Sequence, residues 1–445
     1  MSSSPPRLVV WSLLALTASC SSPVIERDPL IATPAFAGAN PFWHAEGEHI
    51  VDGNGDRVVL RGVNVGGWLI WESWMWGGGW QGETDMRAKF AEAAGDDEAA
   101  ESIGGDGSPP TPQELRDGDR PQSGSLAVAR FADRVYDTFI TEADIEAIAA
   151  LDFNVIRLNL NHTVLEDDDD PGVIKADGLR RLDEIVGWCA RHNLGVLLDL
   201  HSAPGGQSWT YMNDPDPTGL FWDDADKRAR TVNLWRGIAE HFADNATIVG
   251  YDLLNEPWPP DDLALFDVYA DITQAITEVD PRHLIVLEGT RFASVFEWFP
   301  QRLRDNIAYS FHQYTPGFNT RQPDLDRHKV VVATHGVPMF NGEFGEESVE
   351  MVAGAVADYE HEDNKLSGHI FWSWKKVLNN TAALVQIDDE MPKWKALMDW
   401  TNHGWWFPRP SREDTLAAFD EFIAAIAIDN CVINDDMANA LRPAD

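Results

Sequence analysis

Two glutamates stand out because each closes an apolar run just before the chain turns. Glu256 ends Val249-Gly250-Tyr251-Asp252-Leu253-Leu254-Asn255-Glu256-Pro257, and Glu343 ends Val337-Pro338-Met339-Phe340-Asn341-Gly342-Glu343-Phe344-Gly345. An apolar run that stops at an acid followed by Pro or Gly reads as a buried strand handing a carboxyl to the start of a loop. Burying an acid there is costly unless something uses it. Two such acids suit cleavage of a glycosidic bond, where one protonates the departing oxygen and the other attacks the anomeric carbon. The stretch between them has room for about three strand-helix-strand crossovers of ~30 residues each. The pair would then face each other across a barrel mouth, the end where such barrels keep their chemistry. Glu72, Asp199 and Glu288 are the competing acids near strand ends.

The elements that would position these acids follow from the pattern. Eight runs read as strands, at 58–65, 153–160, 195–200, 248–254, 284–288, 307–311, 338–341 and 369–374. Several are almost wholly apolar, as expected of parallel strands covered on both sides. Between them lie helical stripes of period 3.6, such as Leu179, Leu182, Ile185, Val186 and Cys189, then Val232, Trp235, Ile238 and Phe242. Thr141 with Asp144 reads as a capping box opening another. The expected fold is α/β, a (β/α)8 TIM barrel forming a single catalytic domain at 42–445 with a long insertion after the first strand. The insertion, at about 83–125, is rich in Asp, Glu, Gly, Pro and Ser and is expected to be a mobile acidic loop. Just before it, Trp68, Trp71, Trp74, Trp76 and Trp80 surround Gly77-Gly78-Gly79. They either stack on sugar rings in a glycan cleft or plug the space beneath the acidic loop. A helix near 416–428 is expected to pack back on the barrel.

Composition excludes some functions. The 445 residues carry 73 acidic and 34 basic side chains, a net charge of −39, which opposes attraction to phosphate backbones, so no nucleic-acid partner is expected. Residues 1–20 read as an export signal: Arg7, then apolar Leu8 to Leu16, then Thr17-Ala18-Ser19-Cys20. The segment is too short to span a bilayer. It resembles the lipobox of bacterial lipoproteins, with Thr17 where that motif usually has Leu; ordinary cleavage and secretion is the alternative. Either route places the protein outside the cytoplasm, with a flexible tether at 21–41 and membrane contact only through an anchor at Cys20. Cys189 falls on an apolar helix face and reads as a buried thiol, a disulfide with Cys431 being the other possibility. His201, His312 and His335 are too scattered to argue for a metal. No cofactor is implied, and a monomer is expected.

In order along the chain, Leu60-Arg61-Gly62-Val63-Asn64-Val65-Gly66-Gly67-Trp68, Arg157, Leu198-Asp199-Leu200-His201, Leu254-Asn255-Glu256-Pro257, His312 with Tyr314, Gly342-Glu343-Phe344-Gly345 and Phe371-Trp372-Ser373-Trp374 resemble glycoside hydrolase family five. This is the cellulase and exo-β-1,3-glucanase family of retaining (β/α)8 enzymes, and the resemblance runs from about Phe42 to Phe407. It implies Glu256 as acid/base and Glu343 as nucleophile, with Asn255 on the hydroxyl beside the anomeric carbon. It further implies Arg157 and Tyr314 beside the nucleophile, His201 and His312 lining the subsite, and Trp372 as a sugar platform. Asn159 departs from the pattern, standing where relatives often carry Pro, and the first loop is longer and richer in Trp. Those departures bear on the substrate, a β-glucan or another β-linked glycan or glycolipid. A non-catalytic surface glycan-binding protein would keep the barrel and aromatic loop, with little reason to keep both glutamates.

Overall fold

Eight parallel strands close into a barrel in the computed structural model, which describes residues 31, 41–95, 124–216, 221–314, 321–345, 348–378 and 383–442. The strands are β1 (Leu60–Asn64), β2 (Val155–Asn161), β3 (Gly195–Ser202), β4 (Ile248–Asp252), β5 (Leu284–Glu288), β6 (Ile307–His312), β7 (Met339–Gly345) and β8 (Gly368–Trp372). Each pairs with the next in sequence, and β8 returns to β1. All eight coincide with the apolar runs of the sequence, shifted by a few residues at their ends. The export segment 1–20 and residues 96–123 of the acidic insertion lie outside the described residues, as does the tether 21–41 apart from positions 31 and 41.

Strand residues alternate between the barrel axis and the helix layer. Ile156, Leu158 and Leu160 of β2 join the core beneath the helices, while Val155 joins Leu60, Leu197, Val249, Leu284, Val286, Ala308, Phe340 and Ile370 in a second core inside the barrel. Reading up the axis, inward positions change from apolar to polar: Val155-Arg157-Asn159, Leu197-Asp199-His201, Val286-Glu288, Ala308-Ser310-His312. The lower half is therefore a packed floor and the upper half a polar chamber. An N-terminal hairpin closes the floor, His44–Glu46 pairing with His49–Val51 and that strand with Arg57–Val58, so that Trp43 and Ile50 cover the apolar end.

The longer helices are α1 (Glu83–Ala94), α2 (Gly124–Thr138), α3 (Glu142–Ala149), α4 (Ala176–Arg191), α5 (Ala225–Phe242), α6 (Asp262–Val279), α7 (Gln322–His335), α8 (Val349–Glu360), α9 (Pro392–His403) and α10 (Arg412–Ile426). The Thr141–Asp144 capping box is present at the start of α3. Two expectations need correcting. The excursion after β1 opens with the ordered helix α1, which buries Met86, Phe90 and Ala93. And α10 packs on α1, α2 and α9. Phe131 stacks on Phe419 at 4.2 Å and Trp394 on Phe422 at 4.1 Å, so the excursion and the C-terminal helices share one aromatic core beside the barrel. Cys189 is buried and Cys431 partly so, and both are free thiols.

Candidate active site

Arg157 occupies the centre of the polar chamber. Its Nη1 donates to Glu343 Oε1 at 2.6 Å, Nε to Asp252 Oδ2 at 2.9 Å and Nη2 to Glu288 Oε1 at 2.9 Å, while Asp199 Oδ1 lies 3.0 Å from Nη2. It also donates to Asn64 Oδ1 at 3.1 Å and Asn255 Oδ1 at 3.0 Å. The planar fork of a guanidinium allows these bonds to diverge, which an ammonium could not match. Burial would raise Asp199, but Arg157 and His201 outweigh it and hold this carboxyl below the usual range. Asp252 goes the other way: burial and the Glu288 charge push it well up despite Arg157. The cluster thus need not hold four full charges around one cation.

Glu343 is gripped from both sides. Arg157 holds Oε1, and the Tyr314 hydroxyl donates to Oε2 at 2.8 Å. Along β7 the register with β6 shifts between Asn341 and Glu343, so one strand gains a residue and Glu343 comes opposite His312. Gly342 allows this, because a Cβ there would sit 2.1 Å from Ser310 Oγ.

Glu256 lies beyond the end of β4 with φ 48°, a left-handed conformation that a non-glycine residue keeps only when its surroundings enforce it. The enforcing contact is its backbone N–H, which donates to Glu288 Oε2 at 2.6 Å. Its Oε1 lies 2.8 Å from His312 Nδ1, and His312 Nε2 lies 3.1 Å from Glu288 Oε1. Burial raises the Glu256 carboxyl above its ordinary range, with His312 opposing and Glu343 adding to the rise. Burial alone would lower His312, but Glu288, Glu343 and Glu256 push it well above the usual value, as befits a cationic ring among acids. Carboxylate oxygens of Glu256 and Glu343 and a ring nitrogen of His312 lie within 4.8 Å of one another.

An open cleft of about 760 Å³ lies over the pair, lined by Glu72, Trp74, Trp80, His201, Tyr211, Met212, Asn255, Glu256, Tyr314, Glu343 and Trp372. Trp372 stacks on His201 at 5.3 Å and rests against Gly66, where a Cβ would come within 2.6 Å of the indole. His201 is fixed through Nδ1, 2.7 Å from Asp199 Oδ2. Burial pushes Glu72 up to about 7, with Trp74 Nε1 donating to its Oε2 at 2.8 Å, so the cleft holds a third carboxyl that is partly neutral near pH 7. The Trp-rich stretch divides between the two roles the sequence left open. Trp71 and Trp76 are fully buried in the aromatic core, whereas Trp74 and the 73 % exposed Trp80 line the cleft. On the Glu256 side, Trp209, Trp258 and Phe292 form a separate, partly exposed aromatic group.

All eight expected site residues, Arg157, His201, Asn255, Glu256, His312, Tyr314, Glu343 and Trp372, converge on this chamber and cleft. Of the competing acids, Glu72 faces the cleft while Asp199 and Glu288 support the chamber from below. His335 lies elsewhere, with Nδ1 2.9 Å from the Tyr309 hydroxyl. Asn64, Asp252 and Gln207 were not singled out by the sequence. Gln207 Nε2 donates to the carbonyls of His201 at 2.8 Å and Asn255 at 2.7 Å, tying the β3 loop to the β4 loop. The signal for Asp252 was an acid at an inward position of an apolar strand. Among the described residues, two groups have the spacing to grip a cation, Glu256-His312-Glu343 and Asp199-Asp252-Glu288. Each is already served, the first by a raised His312 and the second by Arg157.

A family model described as Cellulase (glycosyl hydrolase family 5) matches residues 121–377, more than half of the chain. Among curated relatives, a Beta-xylosidase of Phanerodontia chrysosporium is 31% identical over 323 residues, covering 68% of this chain and 61% of the relative. Endoglucanase C of Acetivibrio thermocellus is 34% identical over 199 residues, covering 43% of this chain and 55% of the relative. The chain thus spans about six-tenths of the length of these relatives. In fold it is similar to an endogalactoceramidase, with TM-score 0.51 at 20% identity over 76% of this chain and 75% of the other. It is likewise similar to a beta-glucanase from Saccharophagus degradans, with TM-score 0.50 at 14% identity over 88% and 97%. The chain belongs to the cellulase family, glycosyl hydrolase family 5.

Proposed function

We propose that this protein is a retaining glycosidase that hydrolyses O-glycosidic bonds of a β-glucan. The carrying observation is the approach of Glu256 and Glu343 within 4.8 Å. That spacing fits the roughly 5–5.5 Å of retaining enzymes and is too short for the roughly 6.5–9.5 Å that leaves space for a water in inverting ones. Glu343, its oxygens held by Arg157 and Tyr314, attacks the anomeric carbon as Glu256 gives its proton to the departing oxygen. Glu256, now a carboxylate, takes a proton from water, which attacks the glycosyl-enzyme ester and frees Glu343. Asn255 binds the neighbouring hydroxyl, and Trp372, braced by His201, supports the ring. The test is hydrolysis of an aryl β-glucoside and of β-1,3-, β-1,4- and β-1,6-glucans, with the first-formed anomer read by NMR. Turnover with retention is expected; full activity in Glu343→Ala would overturn the reading.

A β-xyloside is the second substrate to try, on the strength of the 31% identity to a Beta-xylosidase. Comparing kcat/KM for aryl β-glucoside and aryl β-xyloside decides between them. The leader-like residues 1–20 support an extracytoplasmic enzyme, anchored at Cys20 or released.

A further inference from the structure

Glu256 and Glu343 divide the barrel rim into two arcs. Glu256 follows β4 and Glu343 lies on β7, so β8, β1, β2 and β3 form one arc between them and β5 and β6 form the other. Over the first arc the described loops join into a wall. The segment after β8 meets the β1 loop where Lys376 Nζ lies 5.0 Å from the centre of the Trp74 ring. Trp80 follows at 6.5 Å from Trp74, and it meets Tyr211 of the β3 loop at 5.3 Å. Behind that junction the Thr84 amide and hydroxyl donate to the two oxygens of Asp214, each at 2.9 Å. Asn161, at the top of β2, donates to Glu83 Oε2 and Asp214 Oδ2, both at 3.2 Å. A Cβ on Gly82 would sit 3.0 Å from Tyr211 O, so the two loops touch through their backbones.

Both ends of the wall are anchored in the body of the protein. Beneath Tyr211, Asn213 Nδ2 donates to His201 O at 2.8 Å. Behind the β1 loop, Trp394 Nε1 donates to Trp76 O at 2.8 Å and Gln81 Nε2 to Thr401 O at 2.9 Å. On the inner face stands Glu72, only 1 % exposed, whose Oε2 accepts from Trp74 Nε1 while its Oε1 has no hydrogen-bond partner among the described residues. A buried polar atom of this kind is costly until a ligand satisfies it, and a sugar hydroxyl is such a ligand. The span from the reacting pair to Glu72 is short. Arg157 bonds both Glu343 and Asn255, Asn255 Nδ2 lies 3.3 Å from His201 Nε2, and that nitrogen lies 3.9 Å from Glu72 Oε1.

Resting on the hydrolytic reading above, we propose that the enzyme acts from the chain end, taking one non-reducing terminal sugar behind this wall and releasing it as a monosaccharide. The ring attacked by Glu343 lies over Trp372 of β8, within the walled arc. Its hydroxyls remote from the anomeric carbon then face Glu72 and Trp74, and a further sugar attached to them would run into Trp80 and Tyr211. The remainder of the polymer departs past Glu256. The test uses aryl β-glucotriosides in β-1,3, β-1,4 and β-1,6 linkage, each with its terminal sugar free or with the 4- and 6-hydroxyls of that sugar tied in a benzylidene acetal. First products are sized by mass spectrometry. The free substrate should yield glucose and the aryl disaccharide first, and the capped one should be inert. In Trp80→Ala/Tyr211→Ala the rate on the capped substrate relative to the free one should rise several-fold. Turnover of the capped substrate by the unsubstituted enzyme, or a di- or trisaccharide as the first free sugar, overturns the proposal while leaving the hydrolytic reading intact. So does a rate ratio that the double substitution leaves unchanged. No turnover of the free trioside in any of the three linkages overturns both.

Discussion

Removing the guanidinium of Arg157 would leave Asp199, Asp252, Glu288 and Glu343 facing one another in a closed barrel without their cation. Breaking a buried pair in this way costs about 3–5 kcal/mol. Arg157→Ala should therefore lose stability of that order in a denaturant titration. Arg157→Lys should keep more of the stability but little of kcat, since one ammonium cannot reach all four acids. Glu256→Gln should depend on the leaving group: about 10²–10⁴-fold slower on a sugar leaving group that needs a proton, and close to normal in forming the ester from a dinitrophenyl glycoside. In the proposed mechanism Glu256 acts only while protonated, and its pKa is raised above the ordinary 4.5. Its active form is lost as pH rises through that raised value, which sets the alkaline limb of kcat/KM. Because His312 lowers Glu256, His312→Gln should move that limb to higher pH. The two glutamates were legible in the sequence because each stands where an apolar run stops. Asp252 was not, since nothing local tells which face of a strand interior looks inward.

At the level of elements, the loop between β1 and α1 does two jobs with one residue type. Trp76 is fully buried, and truncation of such a side chain costs about 3–5 kcal/mol. Trp76→Ala should thus depress the melting temperature sharply, whereas Trp80→Ala should leave it unchanged and raise KM for oligosaccharides. The sequence showed the density of tryptophans but not their directions, which depend on α1, α2, α9 and α10 meeting beside the barrel. In α1, Met86, Phe90 and Ala93 have helical spacing, yet the surrounding Ala, Glu and Asp of the excursion read as loop. The barrel strands were legible to within a few residues because burial on both faces leaves little room for polar side chains. The partners of α10 were not, because an amphipathic stripe shows that a face is covered and not by what. Trp258 lies two residues past Glu256, its amide donating to Gln207 O at 3.0 Å. In the proposed mechanism the departing group lies toward Glu256, which protonates it. Trp258→Ala should therefore raise KM for substrates with large leaving groups and spare small aryl glycosides.

For the molecule as a whole, the charge of −39 disfavours polyanionic partners, and the proposed neutral glycan suits a cleft built from aromatics, acids and one amide. The export reading makes a separate prediction: palmitate labelling in a bacterial host should appear with the intact chain and vanish in Cys20→Ala. The fold also dictates traffic. The hairpin at 44–58 and the apolar layer above it stopper one end of the barrel, so among the described residues Glu256 and Glu343 meet solvent through the cleft at the other end, the proposed doorway for substrate. Spent sugar must back out along the route by which fresh material arrives. Accumulating product should then compete with substrate for that doorway, raising the apparent KM while leaving the maximal velocity untouched.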